Sequence, residues 1–253
     1  MILNSFQLAG RTAIVTGCNT GLGQGMALAL AQAGADIVGV NQSAPTETMA
    51  QVQALGRKFL DVRKDLSDTA ALPAIVQEAL TLTGRIDILV NNAGIIRRED
   101  AINFTESDWD DVVNLNLKNV FFLAQAAARQ FIAQGTGGKI VNIASMLSFQ
   151  GGVRVPAYTA SKSGVMGITR ALANEWAKHG INVNAIAPGY MATANTAALQ
   201  ADPVRNAAIM DRIPAGRWGT PADLAGPVVF LASSASDYVN GYTVAVDGGW
   251  LAR

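Results

Sequence analysis

The feature that most narrows the fold lies near the start of the chain. Thr12 to Thr16 (TAIVT) is a short apolar, β-rich run, and Gly17-Cys18-Asn19-Thr20-Gly21-Leu22-Gly23 follows without a spacer. An Ala/Leu-rich helix is expected over 24–33, stopped by Gly34, and a second strand from Asp36 to Val40. Strand, glycine turn, helix and strand make one βαβ unit. The glycines let the backbone turn tightly and approach a pyrophosphate. The helix N-terminus adds amide donors and the positive end of its dipole. An unliganded glycine turn is the alternative, and the βαβ setting favours a nucleotide.

The rest of the chain keeps the alternation. A third strand is expected within 57–64, a helix over 72–82, a fourth strand over 86–90 and one long helix from Asp108 to Gln134. Lys139 to Ile143 is a further strand. A small-residue helix opens near Tyr158 and runs towards Lys178, with Gly180 as its stop. Strands follow at Ile181 to Ala187 and Tyr242 to Val246. This pattern predicts a single-domain α/β fold: a doubly wound, Rossmann-type parallel sheet with helices on both faces. Ligands then belong at the carboxyl ends of strands near the order reversal, where the glycine turn, Asn91, Ser145 and Pro188 all fall. Residues 191–217 mix helix formers with Pro203, Pro214 and Gly216, and are expected to be a substrate lid.

Composition removes several classes. Half of the 253 residues are hydrophobic and 15% are charged, which suits a substantial core. Lys+Arg and Asp+Glu both number 19, so there is no charge footprint for nucleic acid or an anionic membrane. Cys18 is the only cysteine and His179 the only histidine, so neither an internal disulfide nor a zinc site is expected, and no other metal. His179 suits a helix C-terminal dipole partner better than a catalytic base. No apolar run approaches the ~18 residues of a membrane span, and MILNSFQLAGR lacks the character of a signal peptide. A cytoplasmic protein is expected.

Chemistry concentrates between Asn142 and Arg170. Ser145 sits just past a strand, and Tyr158 and Lys162 share one helical face. A free tyrosine has a pKa of about 10. A nearby ammonium lowers it, and a tuned phenol is a good general acid or base. A serine hydroxyl can hold the substrate oxygen. Tyr-x-x-x-Lys is weak alone and gains weight only from its neighbours.

Those neighbours carry a family resemblance. TGCNTGLG, then Asn91-Asn92-Ala93-Gly94, Ser145, and Tyr158 with Lys162 thirteen and seventeen residues on, resemble the short-chain dehydrogenases/reductases. So does Pro188-Gly189 with Thr193, and the likeness runs from about Leu8 to the C-terminus. It implies that Tyr158 transfers the proton, Ser145 orients the substrate oxygen, and Lys162 tunes Tyr158 and grips the nicotinamide ribose. Asn116 would hold a water for a proton relay, with Asn114 as a competing assignment. The implied cofactor cradle comprises Gly17, Asn19, Gly21, Leu22, Gly23, Asn41, Gln42, Asp65, Leu66, Asn91, Ala93, Gly94, Tyr158, Lys162, Pro188, Gly189, Met191 and Thr193. Asp65 would bind adenine or cap the following helix, and Asn91 would line the ribose or pin strands. Relatives that prefer NAD usually carry an acid where this chain has Asn41. With Gln42 beside it and no adjoining Arg or Lys, NAD is the expected cofactor, with NADP possible.

IIRREDA from Ile95, the stretch from Ser145 to Gly167, IAPGYMATANT from Ile186 and the C-terminal SDYVNGYTVAVDGGWLAR are similar to sugar-acid dehydrogenases of that family. This implies a keto sugar acid, interconverted with its diketo form in hexuronate and pectin breakdown, and a homotetramer. Arg154, between Ser145 and Tyr158, is expected to face the substrate carboxylate. Arg97 and Arg98 rank second, because Glu99 and Asp100 can neutralise them. Two rivals are a 3-oxoacyl carrier-protein reductase and a non-catalytic nucleotide-sensing protein.

Overall fold

The computed structural model describes residues 1–253. In chain order, β1 (Thr12–Thr16) leads through α1 (Gly21–Gln32) to β2 (Asp36–Asn41), then α2 (Thr46–Ala54) and β3 (Phe59–Arg63). Next come α3 (Leu72–Thr83), β4 (Ile88–Asn91), α4 (Glu106–Val113), α5 (Asn119–Gln134) and β5 (Gly138–Ile143). The chain continues through α6 (Pro156–Trp176), β6 (Ile181–Pro188), α7 (Ala197–Ala201), α8 (Pro203–Arg212), α9 (Ala225–Ala232) and β7 (Thr243–Val246). The seven strands form one parallel sheet in the order β3-β2-β1-β4-β5-β6-β7.

The strands are continuous apolar runs because helices cover both faces. Side-chain direction alternates along each strand, so neighbours enter different cores. Val15, Ile37, Val90 and Val141 pack with Met26 and Leu30 of α1 and Val228 and Leu231 of α9. Ile14, Val38, Leu89 and Ile140 pack on the other face with Ile75 of α3, Leu123 and Phe131 of α5 and Leu172 of α6. Burying each large side chain is worth about 1.5–3 kcal/mol. A one-residue slip of any central strand would exchange the two sets.

Strand order reverses between β1 and β4, which opens a crevice at their carboxyl ends. Two local departures from expectation bear on that crevice. First, α1 begins at Gly21 and not at Gln24, so the last glycines of the turn already lie in the helix. Second, the expected long helix is divided. A π-helical turn, Asn114–Lys118, separates α4 from α5. Such turns insert a residue and re-aim the side chains around it. Here Asn116 is fully buried against the main chain of Ile95, while Asn119 faces the Leu66 carbonyl and accepts from Thr69 Oγ1 at 2.7 Å.

After β6, residues 194–196 form a short 3-10 turn ahead of α7 and α8. This segment is fixed at its start by pairing of Met191 with Gly219 and at its end by Ala215, whose amide donates to Gly248 O at 2.9 Å. No helix is long and apolar enough to cross a membrane, and no group of three or more His, Cys, Asp or Glu is placed to hold a metal ion.

Candidate active site

The crevice is a cleft of about 740 Å³ whose walls come from the carboxyl ends of β1, β2, β4 and β5, the first turn of α1, and α6. At its floor, Gly17 and Gly21 adopt φ of +63° and +59°. Both angles favour glycine, since a Cβ is strained there. A Cβ on Gly23 would collide with the Gly17 carbonyl and lie 2.5 Å from Asn92 Nδ2. Thr20 makes no side-chain cap to α1, so the first-turn amides remain available as donors. Glycines that admit close approach and free amides at a positive helix end suit a pyrophosphate, and a cleft of about 740 Å³ leaves room for the rest of a dinucleotide.

Of the expected cofactor residues, Gly17, Asn19, Gly21, Leu22, Gly23, Asn41, Gln42, Asp65, Leu66, Ala93, Gly94, Tyr158, Lys162 and Thr193 line the cleft. Asn91, Pro188, Gly189 and Met191 do not. Asn91 is buried and donates to Asn142 Oδ1 at 2.9 Å, and Asn142 donates to Thr169 Oγ1 at 3.0 Å. That chain of amides ties β4 to β5 and α6, the strand-pinning role. Pro188 ends β6 in register with Val246, Gly189 donates to Val246 O at 3.0 Å, and Met191 is buried. Met191 O accepts from Thr196 Oγ1 at 2.6 Å, which ties it to the 193–196 wall segment from behind.

The neighbour of Asn91 does what the motif required. Asn92 lines the cleft and donates from Nδ2 to Thr16 O at 2.9 Å and Gly17 O at 3.0 Å, clamping the glycine turn. It belongs to the same Asn-Asn-Ala-Gly run, and an amide beside a glycine turn was the available signal. Asn41 has a related task. Its Oδ1 accepts from the Asn19 amide at 3.1 Å, and its Nδ2 faces Cys18 Sγ. Burial pushes the Cys18 thiol up to about 11, so it is an inert packing group.

Asp65 is not the helix cap. α3 starts from Ala71 with no side-chain cap, and Asp68 caps only the 3-10 turn Thr69–Ala71 ahead of it, whereas Asp65 Oδ1 accepts from the Ser67 amide at 2.8 Å and from Gln42 Nε2 at 2.9 Å. Those donors hold its carboxyl below the usual range. The expectation that no cation stands near Asn41 and Gln42 also needs correction. β2–β3 pairing brings Lys64 to the same wall, where its amide donates to Asn41 O at 3.2 Å. Lys64 Nζ is paired with Glu78 at 2.7 Å.

Further along the cleft, Ser145 follows β5 in extended conformation, and its Oγ accepts from the Leu147 amide at 3.1 Å. Ser148 Oγ donates to Lys162 O at 2.6 Å, tying this turn to α6. Pro156 opens α6, where its missing amide costs nothing. Tyr158 and Lys162 then point from one helical face. Lys162 is 4% exposed, and its Nζ donates to Ile143 O at 2.6 Å. The ammonium stands 5.7 Å from the Tyr158 ring centroid.

Their ionisation differs from the simplest expectation, in which the ammonium lowers the phenol. Burial raises Tyr158 above its ordinary value, and only partial relief comes from the neighbouring Ser145 hydroxyl and the charge of Arg98. Burial also pushes Lys162 down to about 8. Desolvation therefore dominates both groups. At neutral pH the arrangement offers a protonated phenol beside a serine hydroxyl and an ammonium.

Asn116 lies behind this group. Its Oδ1 accepts from the Ile95 amide at 2.9 Å, and its Nδ2 donates to Ile95 O at 2.8 Å. Asn114, at the start of the same π-turn, lines the cleft. Arg154 departs from expectation altogether. It is not on the cleft wall, and it adopts φ +64°, an uncommon angle for a residue with a side chain. Its guanidinium pairs with Asp100 at 2.9 Å and Glu99 at 3.4 Å. The two acids expected to neutralise Arg97 and Arg98 are thus spent on Arg154.

A family profile described as enoyl-(acyl carrier protein) reductase matches residues 17–251. Over all of both chains, this sequence is 72% identical to the 2-dehydro-3-deoxy-D-gluconate 5-dehydrogenase of Escherichia coli strain K12 and 70% identical to the one of Dickeya dadantii strain 3937. A solved structure from Agrobacterium tumefaciens, provisionally named a 2-deoxy-D-gluconate 3-dehydrogenase and carrying bound NADP, superposes with a TM-score of 0.93. That pair shares 55% identity over 99% of this chain and 100% of the other. With this sheet, this cleft and full-length identity of that size, the chain belongs to the short-chain dehydrogenase/reductase family.

Proposed function

We propose that the protein is an NAD(P)-dependent oxidoreductase that interconverts 2-dehydro-3-deoxy-D-gluconate and its 2,5-diketo form, 3-deoxy-D-glycero-2,5-hexodiulosonate. The observation that carries the reaction class is Tyr158 and Lys162 on the wall of the cleft with Ser145 next to Tyr158. Substrate class follows the full-length similarity to enzymes of that name. The cofactor, when bound, supplies or accepts the hydride at the alcohol carbon. Ser145 Oγ donates to the ketone oxygen and fixes its position. Tyr158 delivers its proton to that oxygen in reduction and removes it in oxidation. Lys162 holds positive charge beside the phenol and is placed to grip the nicotinamide ribose. Asn116, locked onto Ile95, shapes the π-turn whose wall residue, Asn114, reaches the cleft. Residues 191–217 act as the lid over the substrate end, and hexuronate and pectin breakdown is the setting that this chemistry fits.

NADH and NADPH oxidation measured over keto acids, ketoses and acyl thioesters tests this reading. Turnover of ketosugar acids supports it. Turnover of acetoacetyl thioesters alone would favour an acyl carrier-protein reductase, and cofactor binding without any turnover a sensing role.

The cofactor is NAD, with NADP also accepted. Asn41 and Gln42 are neutral, Glu78 already engages Lys64, and the Asp65 carboxylate stands 2.9 Å from Gln42 Nε2, so a 2′-phosphate meets no free cation and has one acid nearby. NAD(H) should therefore be preferred modestly in kcat/KM, and Gln42→Arg should shift the preference towards NADP(H). A clear NADP(H) preference in the unaltered protein would contradict this.

The two directions should depend oppositely on pH. Tyr158 is raised above its ordinary value, so the protonated form that reduction needs persists through neutral pH. Reduction should decline on the alkaline side, with a first inflection about pH 8 as Lys162 discharges. Oxidation needs the phenolate and should rise with pH. Profiles of kcat/KM in both directions check this, and a reduction rate that climbs from neutral to alkaline pH would contradict it.

The assembly proposed is a homotetramer, and one apolar groove supports one of the interfaces it needs. α5 and α6 leave an apolar groove of about 300 Å³ between Phe121, Ile132, Ile168 and Trp176, suited to the same helices of a second copy.

A further inference from the structure

Three arginines and four carboxylates stand around the substrate end of the cleft, and their pairing leaves one cation over. Arg97 is taken by Asp108 at 3.4 Å and Asp111 at 3.2 Å. Arg154 is taken by Asp100 and Glu99. The main chain reinforces the second set, because the Glu99 amide donates to Arg154 O at 3.1 Å. Glu99 and Asp100, which follow Arg98 in sequence, are thereby committed elsewhere. Arg98 makes no ion pair or hydrogen bond within the chain, and it lines the cleft together with Tyr158 and Lys162. Its position is close enough for its charge to act on the Tyr158 phenol.

Resting on the sugar-acid reading above, we infer that Arg98 binds the substrate carboxylate and selects acids over neutral ketoses. A guanidinium presents two parallel N–H donors that match a carboxylate in both charge and spacing. The other cations on the wall are engaged: Lys162 with the Ile143 carbonyl, Lys64 with Glu78, and Arg97 with its two aspartates. The strained Arg154 turn has a consistent purpose. By drawing Glu99 and Asp100 to itself, it keeps acids off Arg98. The carboxylate of the sugar acid lies at the opposite end of the carbon chain from the reacting centre, so this contact acts on binding more than on the chemical step.

The test compares kcat/KM for 2-dehydro-3-deoxy-D-gluconate with that for its methyl ester, which has the same skeleton without the charge. Arg98's influence on Tyr158 acts on both substrates and cancels in their ratio. In the unaltered protein the acid should be preferred. Arg98→Gln should lower the acid-to-ester ratio roughly 10- to 150-fold, the loss of a charge-assisted hydrogen bond, mainly through KM. Arg98→Lys should recover part of it. Arg98 is exposed and unpaired, so neither change should disturb folding. An unchanged ratio in Arg98→Gln overturns the inference, whatever Arg154→Ala does. A weakened NADH dissociation constant that matches the whole loss would assign Arg98 to the cofactor and also overturn it. If the unaltered protein prefers the acid and Arg98→Gln keeps that preference, only the inference fails. If the unaltered protein turns over neither compound, the functional reading fails with it.

Discussion

Tyr158→Phe should lower kcat by at least about 10²-fold, the low end for losing a general acid or base. The change removes the transferable proton and keeps the ring that fills the wall between Ser145 and Lys162. Lys162 is held by the Ile143 carbonyl and not by the phenol, so its place should survive. Cofactor affinity should therefore change little, and the loss should fall on turnover. Measuring kcat alongside the NADH dissociation constant separates the two. Near-normal turnover would remove Tyr158 from the proton-transfer role. Loss confined to cofactor binding would make it a wall residue only.

Gly23→Ala should weaken NADH binding roughly 5- to 160-fold. The added Cβ meets the Gly17 carbonyl, which is main chain, and Asn92 Nδ2, which is itself clamped onto Thr16 O and Gly17 O. Neither neighbour can yield without opening the turn that should receive the pyrophosphate. Overpacking of this kind costs about 1–3 kcal/mol, which is the stated range in affinity. It should also lower Tm by several degrees for a chain of this size. Gly226→Ala is the control. Gly226 lies in α9 with nothing within 4 Å of its Cβ position, so the change should leave binding intact and stabilise slightly. Equal binding in both variants would show that the glycine turn does not contact the cofactor.

The sheet was legible in the sequence because strands covered on both faces must be apolar throughout, and such runs stand out. Their ends were less so. β4 starts at Ile88 and not Ile86, and β7 at Thr243 and not Tyr242, since an apolar residue just outside a ladder looks like one inside it. The π-turn was hidden for a different reason. Apolar spacing from Asp108 to Gln134 suits one helix, and only the burial of Asn116 against Ile95 and of Asn119 against Leu66 requires the extra residue.

The residues proposed for proton transfer were visible as a pattern, but their ionisation was not. Burial decides the Tyr158 shift, and burial belongs to the folded chain. Arginine roles were least legible. Which of Arg97, Arg98 and Arg154 stays free depends on where two loops 55 residues apart meet, through Glu99 and Arg154. Sequence proximity pointed to Glu99 and Asp100 neutralising their immediate neighbours, whereas the fold carries both to Arg154.

The most direct test of the central claim is a product analysis. Purified enzyme is incubated with 2-dehydro-3-deoxy-D-gluconate and NAD, NADH formation is followed, and the sugar acid is weighed by mass spectrometry. The expected result is one NADH for each sugar acid converted, with a product lighter by two hydrogens and a new ketone at carbon five. The carboxylate should remain intact, and Tyr158→Phe should abolish both signals together. No NADH, or NADH without a diketo acid, would contradict the assignment of this cleft to sugar-acid oxidation.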